Sequence, residues 1–200
     1  GLVKLHDGKM GSVTIGGAVS PAGGNFEEPV TQATLKVVGA FHGLSRARAD
    51  ARRYPAIDPL DSWSKYQSFI ETDKVRKGVN ILKKSKNIYN MMKVVGEEGT
   101  STHEFIDYLK GEFFDAVYLQ QNAFDHVDEC TPKERQQYIF NIIVEIIDQE
   151  FNFDTKDAGR KFFLELRQKF LNWNAAKFQS PEFMAVEKEI SEKIQQTANV

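Results

Sequence analysis

From residue 63 to its end, this chain repeats apolar side chains three and four positions apart, and that spacing constrains its fold more than any other feature. A first helix is expected over 75–95. Ser101-Thr102-His103-Glu104 reads as a capping box, with Ser101 as the cap and Glu104 reaching back, and opens a helix to about Asn122. Thr131-Pro132-Lys133-Glu134 reads as a second box, with proline at the first helical position. Its helix carries Ile139, Ile142, Ile143, Ile146 and Ile147 inward. Phe162, Phe163, Leu166 and Phe170 stripe the next, and Ser180-Pro181 starts a last one with Phe183, Val186, Ile190 and Ile194 on its inner face. A stack of striped helices buries its stripes only against one another, so 63–200 is expected to be a helical domain with its own core.

The first 62 residues read differently. Val3 and Leu5 alternate with Lys4, Asp7-Gly8 marks a turn, and 12–19 follows as a second strand-like run. An isolated pair of strands is marginal in water, so these strands either pair with each other against helices or belong to a larger sheet. A Pro/Gly-rich loop ends the run. A helix is then expected over 31–53, with Leu35, Val38, Phe41 and Leu44 at helical spacing. Arg46, Arg48, Arg52 and Arg53 load its C-terminal turns, where cations complement the helix dipole. Pro55 stops it, and 54–62, with two prolines, is the natural boundary between residues 1–62 and 63–200.

Composition removes several classes of function. The formal net charge of −2 gives no electrostatic reason to expect nucleic acid. A single cysteine, Cys130, rules out an internal disulfide and a thiolate zinc cluster. No apolar run approaches the roughly 18 residues of a membrane span, and no signal-peptide core opens the chain. The chain starts Gly1-Leu2-Val3 without methionine, so a piece of something longer is expected. No G-x-x-x-x-G-K-[ST] string is present to wrap phosphates in backbone amides, and the glycines at 8, 11, 16, 17, 23 and 24 read as turn residues. His126 beside Asp125, Asp128 and Glu129 reads as a solvated helix end, since His6, His42 and His103 are too far along the chain to suggest convergence. A Cys130–His126 nucleophile pair lacks any visible orienting group or oxyanion element. The expected site therefore includes no catalytic residue and no metal ligand.

Three tracts carry a family resemblance. Ala18-Val19-Ser20-Pro21-Ala22-Gly23-Gly24-Asn25-Phe26-Glu27-Glu28-Pro29-Val30-Thr31-Gln32 resembles the loop AVSPPGGDFSEPVTQ of the catalytic A subunit of V-type and A-type rotary ATPases, departing from it at Ala22 and Asn25 among others. Tyr54-Pro55-Ala56-Ile57-Asp58-Pro59-Leu60-Asp61-Ser62 resembles the same region of that subunit and of the F-type beta subunit. Leu119-Gln120-Gln121-Asn122-Ala123-Phe124-Asp125-His126-Val127-Asp128-Glu129-Cys130 resembles the A-subunit pattern LQQNAY/F-x-x-VD-x-C, which the beta subunit lacks.

The resemblance implies a mainly α chain: the tail of a RecA-like α/β nucleotide-binding domain, then a C-terminal helical bundle. It implies ATP or ADP with magnesium as the ligand of the full subunit, with Tyr54 and Phe124 holding adenine between two rings. The phosphate and magnesium ligands are implied to lie outside this chain, so that it is inactive alone. The partners implied are B subunits in an alternating ring and a central rotor stalk, with Asn25, Glu27, Glu28, Glu97, Glu98 and Glu104 as candidate rotor contacts. The implied location is cytoplasmic, peripheral to the membrane and without insertion into it. An F-type beta subunit or a secretion ATPase is the alternative within this class, and a free-standing helical interaction module with no nucleotide role is the rival outside it.

Overall fold

A computed structural model describes residues 2–66 and 69–198. The chain forms two compact units, Gly1–Phe41 and His42–Val200.

In the first unit, β1 (Val3–Lys4) and β2 (Met10–Gly11) form an antiparallel hairpin in which Val3 faces Gly11 and Lys4 faces Met10. Gly8 turns it with φ +83°, and Asp7 Oδ1 accepts the Lys9 amide at 3.1 Å. The strand expected over 12–19 does not form. Its alternation is real, but a strand is stabilised by a neighbour's hydrogen bonds, and Val13 and Ile15 stand 87% and 90% exposed. α1 (Pro29–Val37) starts with proline in its first turn, where the missing N–H costs nothing. The helix expected to run to residue 53 stops here. Val37-Val38-Gly39 is a poor helical sequence, Val38 is extended, and β3 (Ala40–Phe41) follows. Phe26 and Phe41 pack edge to face, with centroids 5.6 Å apart.

In the second unit, residues 43–45 and 56–58 pair in antiparallel fashion through a Leu44–Ile57 bridge. The Ser45 amide donates to the Ala56 carbonyl and the Asp58 amide to the Gly43 carbonyl, each at 2.8 Å. Between them, α2 (Arg46–Asp50) is capped by Ser45 Oγ, and left-handed Arg52 ends the turn before Pro55. β4 (Trp63–Ser64) is a short strand where helix was expected.

The bundle is built from α3 (Thr72–Val95), α4 (Thr102–Phe114), α5 (Lys133–Asp148), α6 (Lys156–Ala175) and α7 (Pro181–Ala198). α4 is its axis and packs against both α3 and α6. Phe105, Ile106, Leu109, Phe113 and Phe114 are buried along it. Gly111 lets α4 approach α3, since a Cβ there would lie 2.3 Å from Ser85 Cβ. The Ser101–Glu104 capping box forms as read, with both reciprocal bonds present. The second expected box does not form. Pro132 sits at the cap without a side chain able to accept, and Thr131 instead donates its hydroxyl to the Asp128 carbonyl. Two buried cations close helix ends. Lys110 Nζ donates to the carbonyls of Ile147 and Gln149 at 2.8 and 2.7 Å, and burial pulls its pKa down. Arg135 donates to the carbonyls of Trp173 and Asn174 at 3.1 and 2.6 Å. Orphan carbonyls at a helix C-terminus accept such donors well.

Candidate functional site

α4 does not reach Asn122. At Asp115 it loosens into a single π turn, Asp115–Leu119, whose closing bond runs from the Gln120 amide to the Asp115 carbonyl at 3.0 Å. Such turns add one residue to the helical repeat and leave the chain at a new angle. The chain exits here into the loop that carries Phe124. Its next amide, that of Gln121, donates to the Tyr54 carbonyl at 2.9 Å. The two aromatic tracts, far apart in sequence, are therefore joined through their main chains.

Both rings face solvent: Tyr54 is 55% exposed and Phe124 96%. The Phe124 loop is shaped by short polar side chains. Asn122 Oδ1 accepts the Phe124 amide at 3.1 Å, and Asp128 Oδ2 accepts the Asn122 amide at 2.6 Å. Asp125 accepts the amides of Val127 and Asp128, both at 2.9 Å, and these bonds hold its carboxyl below the usual carboxylate range. Asp128, part-buried, is pushed up by burial. A cleft of about 180 Å³ opens beside the joined tracts, lined by Pro55, Leu119, Gln120, Gln121, Asp128 and Arg135 among others. Neither Tyr54 nor Phe124 is among its walls.

Of the four arginines assigned from sequence to helix C-terminal turns, Arg48 does lie in the last turn of α2, but it and Arg53 also hold acids at the end of α4. Arg48 Nη1 meets Asp115 Oδ1 at 2.6 Å, and Arg53 Nη1 meets Asp115 Oδ2 at 2.8 Å. Arg53 also grips Glu112 with both terminal nitrogens, at 2.7 and 3.2 Å. α2 ends at Asp50, so the helix whose C-terminus they were to complement does not exist beside Arg53. Hydrogen bonds from Arg53 to Glu112 raise the guanidinium's pKa further above its ordinary value. Sequence reasoning passed over Asp115, although a signal was present. It is the lone charge in Phe113-Phe114-Asp115-Ala116-Val117, and a charge amid buried residues requires a partner.

The candidate rotor contacts fall in two places. In the first unit, Asn25 and Glu27 are exposed, with Asn25 Oδ1 accepting the Glu27 amide at 3.0 Å. Glu28 lies at the start of α1, where its carboxylate accepts the Thr31 hydroxyl at 3.5 Å. In the second unit, Glu97 and Glu98 lie at the tip between α3 and α4. Glu97 is engaged internally, paired with Arg160 at 2.6 Å, and Glu104 is held in the capping box. Glu98 is exposed beside exposed Val94 and Val95 and makes no ion pair among the described residues.

His126 is exposed and pairs with Glu129, and Cys130 is exposed. Among the described residues no group of three or more His, Cys, Asp or Glu is placed to hold a metal ion. No helix among them is long and apolar enough to cross a membrane.

Residues 2–64 match the ATP synthase alpha/beta family, nucleotide-binding domain, and residues 72–155 match the C-terminal domain of V and A type ATP synthase. The V-type ATP synthase alpha chain of Treponema denticola is 57% identical over 199 residues, which is 100% of this chain and 34% of that one. The V-type ATP synthase alpha chain 1 of Treponema pallidum is 55% identical across 95% of this chain and 32% of its own length. The alpha chain of Borrelia turicatae is 54% identical across 97% and 34%. The chain thus spans about a third of the length of these relatives. Among solved structures, the ATP synthase subunit NeqB from Nanoarcheaum equitans superposes with a TM-score of 0.53 at 17% identity, covering 63% of this chain and 32% of that one, a likeness of fold.

Proposed function

By sequence this chain belongs with V-type ATP synthase alpha chains and corresponds to about a third of their length, and on that premise we propose that it works as part of a subunit that hydrolyses or makes ATP in a V/A-type rotary motor. Its first 62 residues act as the tail of the nucleotide-binding domain and residues 63–200 as the helical domain, a division that the two matched families support. Tyr54 and Phe124 supply aromatic faces to the adenine of ATP or ADP. Magnesium and phosphate are held by residues outside this chain. The α3–α4 tip meets the central rotor stalk, with Glu98 as its free acid. B subunits are the neighbours in the ring, and the assembly works at the periphery of the membrane.

One observation carries the adenine assignment. The Gln121 amide bonds the Tyr54 carbonyl, which brings the two aromatic tracts to one place while both rings remain open to a ligand. Stacking on a base contributes roughly 1–3 kcal/mol per ring. In the full subunit, Tyr54→Ala is expected to weaken ATP binding by about that amount, and Tyr54→Phe to leave it nearly unchanged, because stacking needs the ring and not the hydroxyl. Equal loss in both variants, or none in either, would defeat the assignment. The 200-residue chain by itself is expected to show no magnesium-dependent ATP hydrolysis above a blank preparation.

A further inference from the structure

We propose that Asp115 is the joint that fixes the Tyr54 and Gln121 loops to the end of α4, a positioning residue for the adenine-side rings. The inference rests on the reading of those rings as nucleotide-facing, but its geometry stands independently. The Asp115 side chain is only 5% exposed and holds two arginines from one short segment. Arg48 lies within α2, and Arg53 is bonded directly to Tyr54 in the chain. The Arg53 amide donates back to the Arg48 carbonyl at 2.8 Å, so the two guanidinium groups are parts of one folded turn. The opposite attachment is through the main chain. Asp115 opens the π turn, its carbonyl takes the Gln120 amide, and Gln121 then reaches the Tyr54 carbonyl.

These contacts close a ring: Asp115, Arg53, Tyr54, Gln121, Gln120 and back to Asp115. Charge balances within it, since two guanidinium groups meet the carboxylates of Asp115 and Glu112. A buried ion pair is a poor source of stability, because desolvation offsets most of the attraction. It is a good source of geometry, because a bidentate fork tolerates little displacement. Glu112 lies one turn before Asp115 on α4, so Arg53 is fixed to the helix at two levels. α4 itself runs about 20 Å at 1.5 Å per residue, starting just after the Glu97–Glu98 tip. A displacement of that tip therefore has a continuous rigid route to the loop that presents Tyr54.

The test is site-resolved amide exchange on the 200-residue chain. Asp115→Asn removes the charge and keeps the shape. The Gln121 amide is expected to exchange at least tenfold faster, while the amides of Ile143 in α5 and Leu166 in α6 stay within twofold. Unchanged exchange at Gln121 overturns the proposal. If all three amides accelerate together, the half-exposed variant Arg53→Gln decides. Selective acceleration of Gln121 in that variant supports the joint, and no change there overturns it. Nucleotide titration of Tyr54→Ala separates the two ideas. Unchanged affinity defeats the adenine reading and leaves the exchange result intact. Weakened affinity with an unaffected Gln121 amide defeats the joint alone.

Discussion

The two units of this chain bury their apolar residues very differently. In the bundle, Ile143, Leu166, Phe170 and Trp173 are completely inaccessible to water. In the first unit, Thr31 is the buried residue among those described, while Leu2, Val3, Met10, Val13, Ile15, Val30 and Val37 are exposed. Both regions have apolar residues at regular spacing. Five helices offer one another matching stripes, so the bundle converts that spacing into buried area. Among the described residues the first unit has a hairpin of two-residue strands, a short 3-10 turn at 22–24, one α-helix and β3, so its spacing has little to pack against. Apolar pattern is thus a capacity for burial, and stability follows only where a second surface is present.

The largest expected effect tests the bundle. Trp173→Ala removes a ring packed against Phe170 and Phe183 and a buried donor to the Phe183 carbonyl at 3.0 Å. It is expected to cost about 3–5 kcal/mol in urea unfolding. A loss below 1 kcal/mol would break the comparison. Gly111→Ala sharpens it from the backbone side. The new methyl would meet Ser85, so α3 and α4 must part, at a cost of about 1–3 kcal/mol in the same measurement. Ser101→Ala removes the cap of α4 and is expected to cost about 1 kcal/mol.

Alkaline titration separates the units spectroscopically. All six tyrosines lie in the second unit. Burial pushes the Tyr118 phenol up to about 12, and the bond with Glu187 does the same for Tyr138. A phenol whose folded pKa is raised contributes stability that is fully present below its ordinary value near 10. That contribution is lost as pH rises towards 12. Absorbance at 295 nm should therefore show these two tyrosines ionising late, together with loss of the bundle. The smallest effect belongs to the first unit. Val13→Ser and Ile15→Ser are each expected to move stability by no more than about 0.5 kcal/mol. A larger loss would mean that this segment is packed after all.

The bundle was legible because period and caps are local. The Phe162, Phe163, Leu166 and Phe170 stripe and the Ser101–Glu104 box needed no knowledge of distant residues. The failures divide between non-local and local causes. Residues 12–19 alternate as a strand should, but strand formation depends on a partner that local sequence does not name. The helix expected through 53 broke at Val37-Val38-Gly39, where β-branching outweighed the apolar spacing beyond it. In the candidate site, the pairing of the Tyr54 and Phe124 tracts was implied only by the family resemblance, and neither ring lines the cleft beside them. The Arg48–Asp115–Arg53 cluster was not anticipated, since a contact across more than sixty positions leaves only one trace, a solitary charge in an apolar run.

The close approach of α3 and α4 at Gly111 also has a consequence for the order of events during folding. These two helices are joined by residues 96–101, so bringing them together closes a short loop at little entropic cost. Arg135, by contrast, reaches α6 across 38 positions to the Trp173 carbonyl. Contacts between near neighbours in sequence form first when stabilities are comparable. The α3–α4 pair is then expected among the first contacts to form. Gly111→Ala should slow refolding in stopped-flow experiments, whereas Trp173→Ala should mainly hasten unfolding.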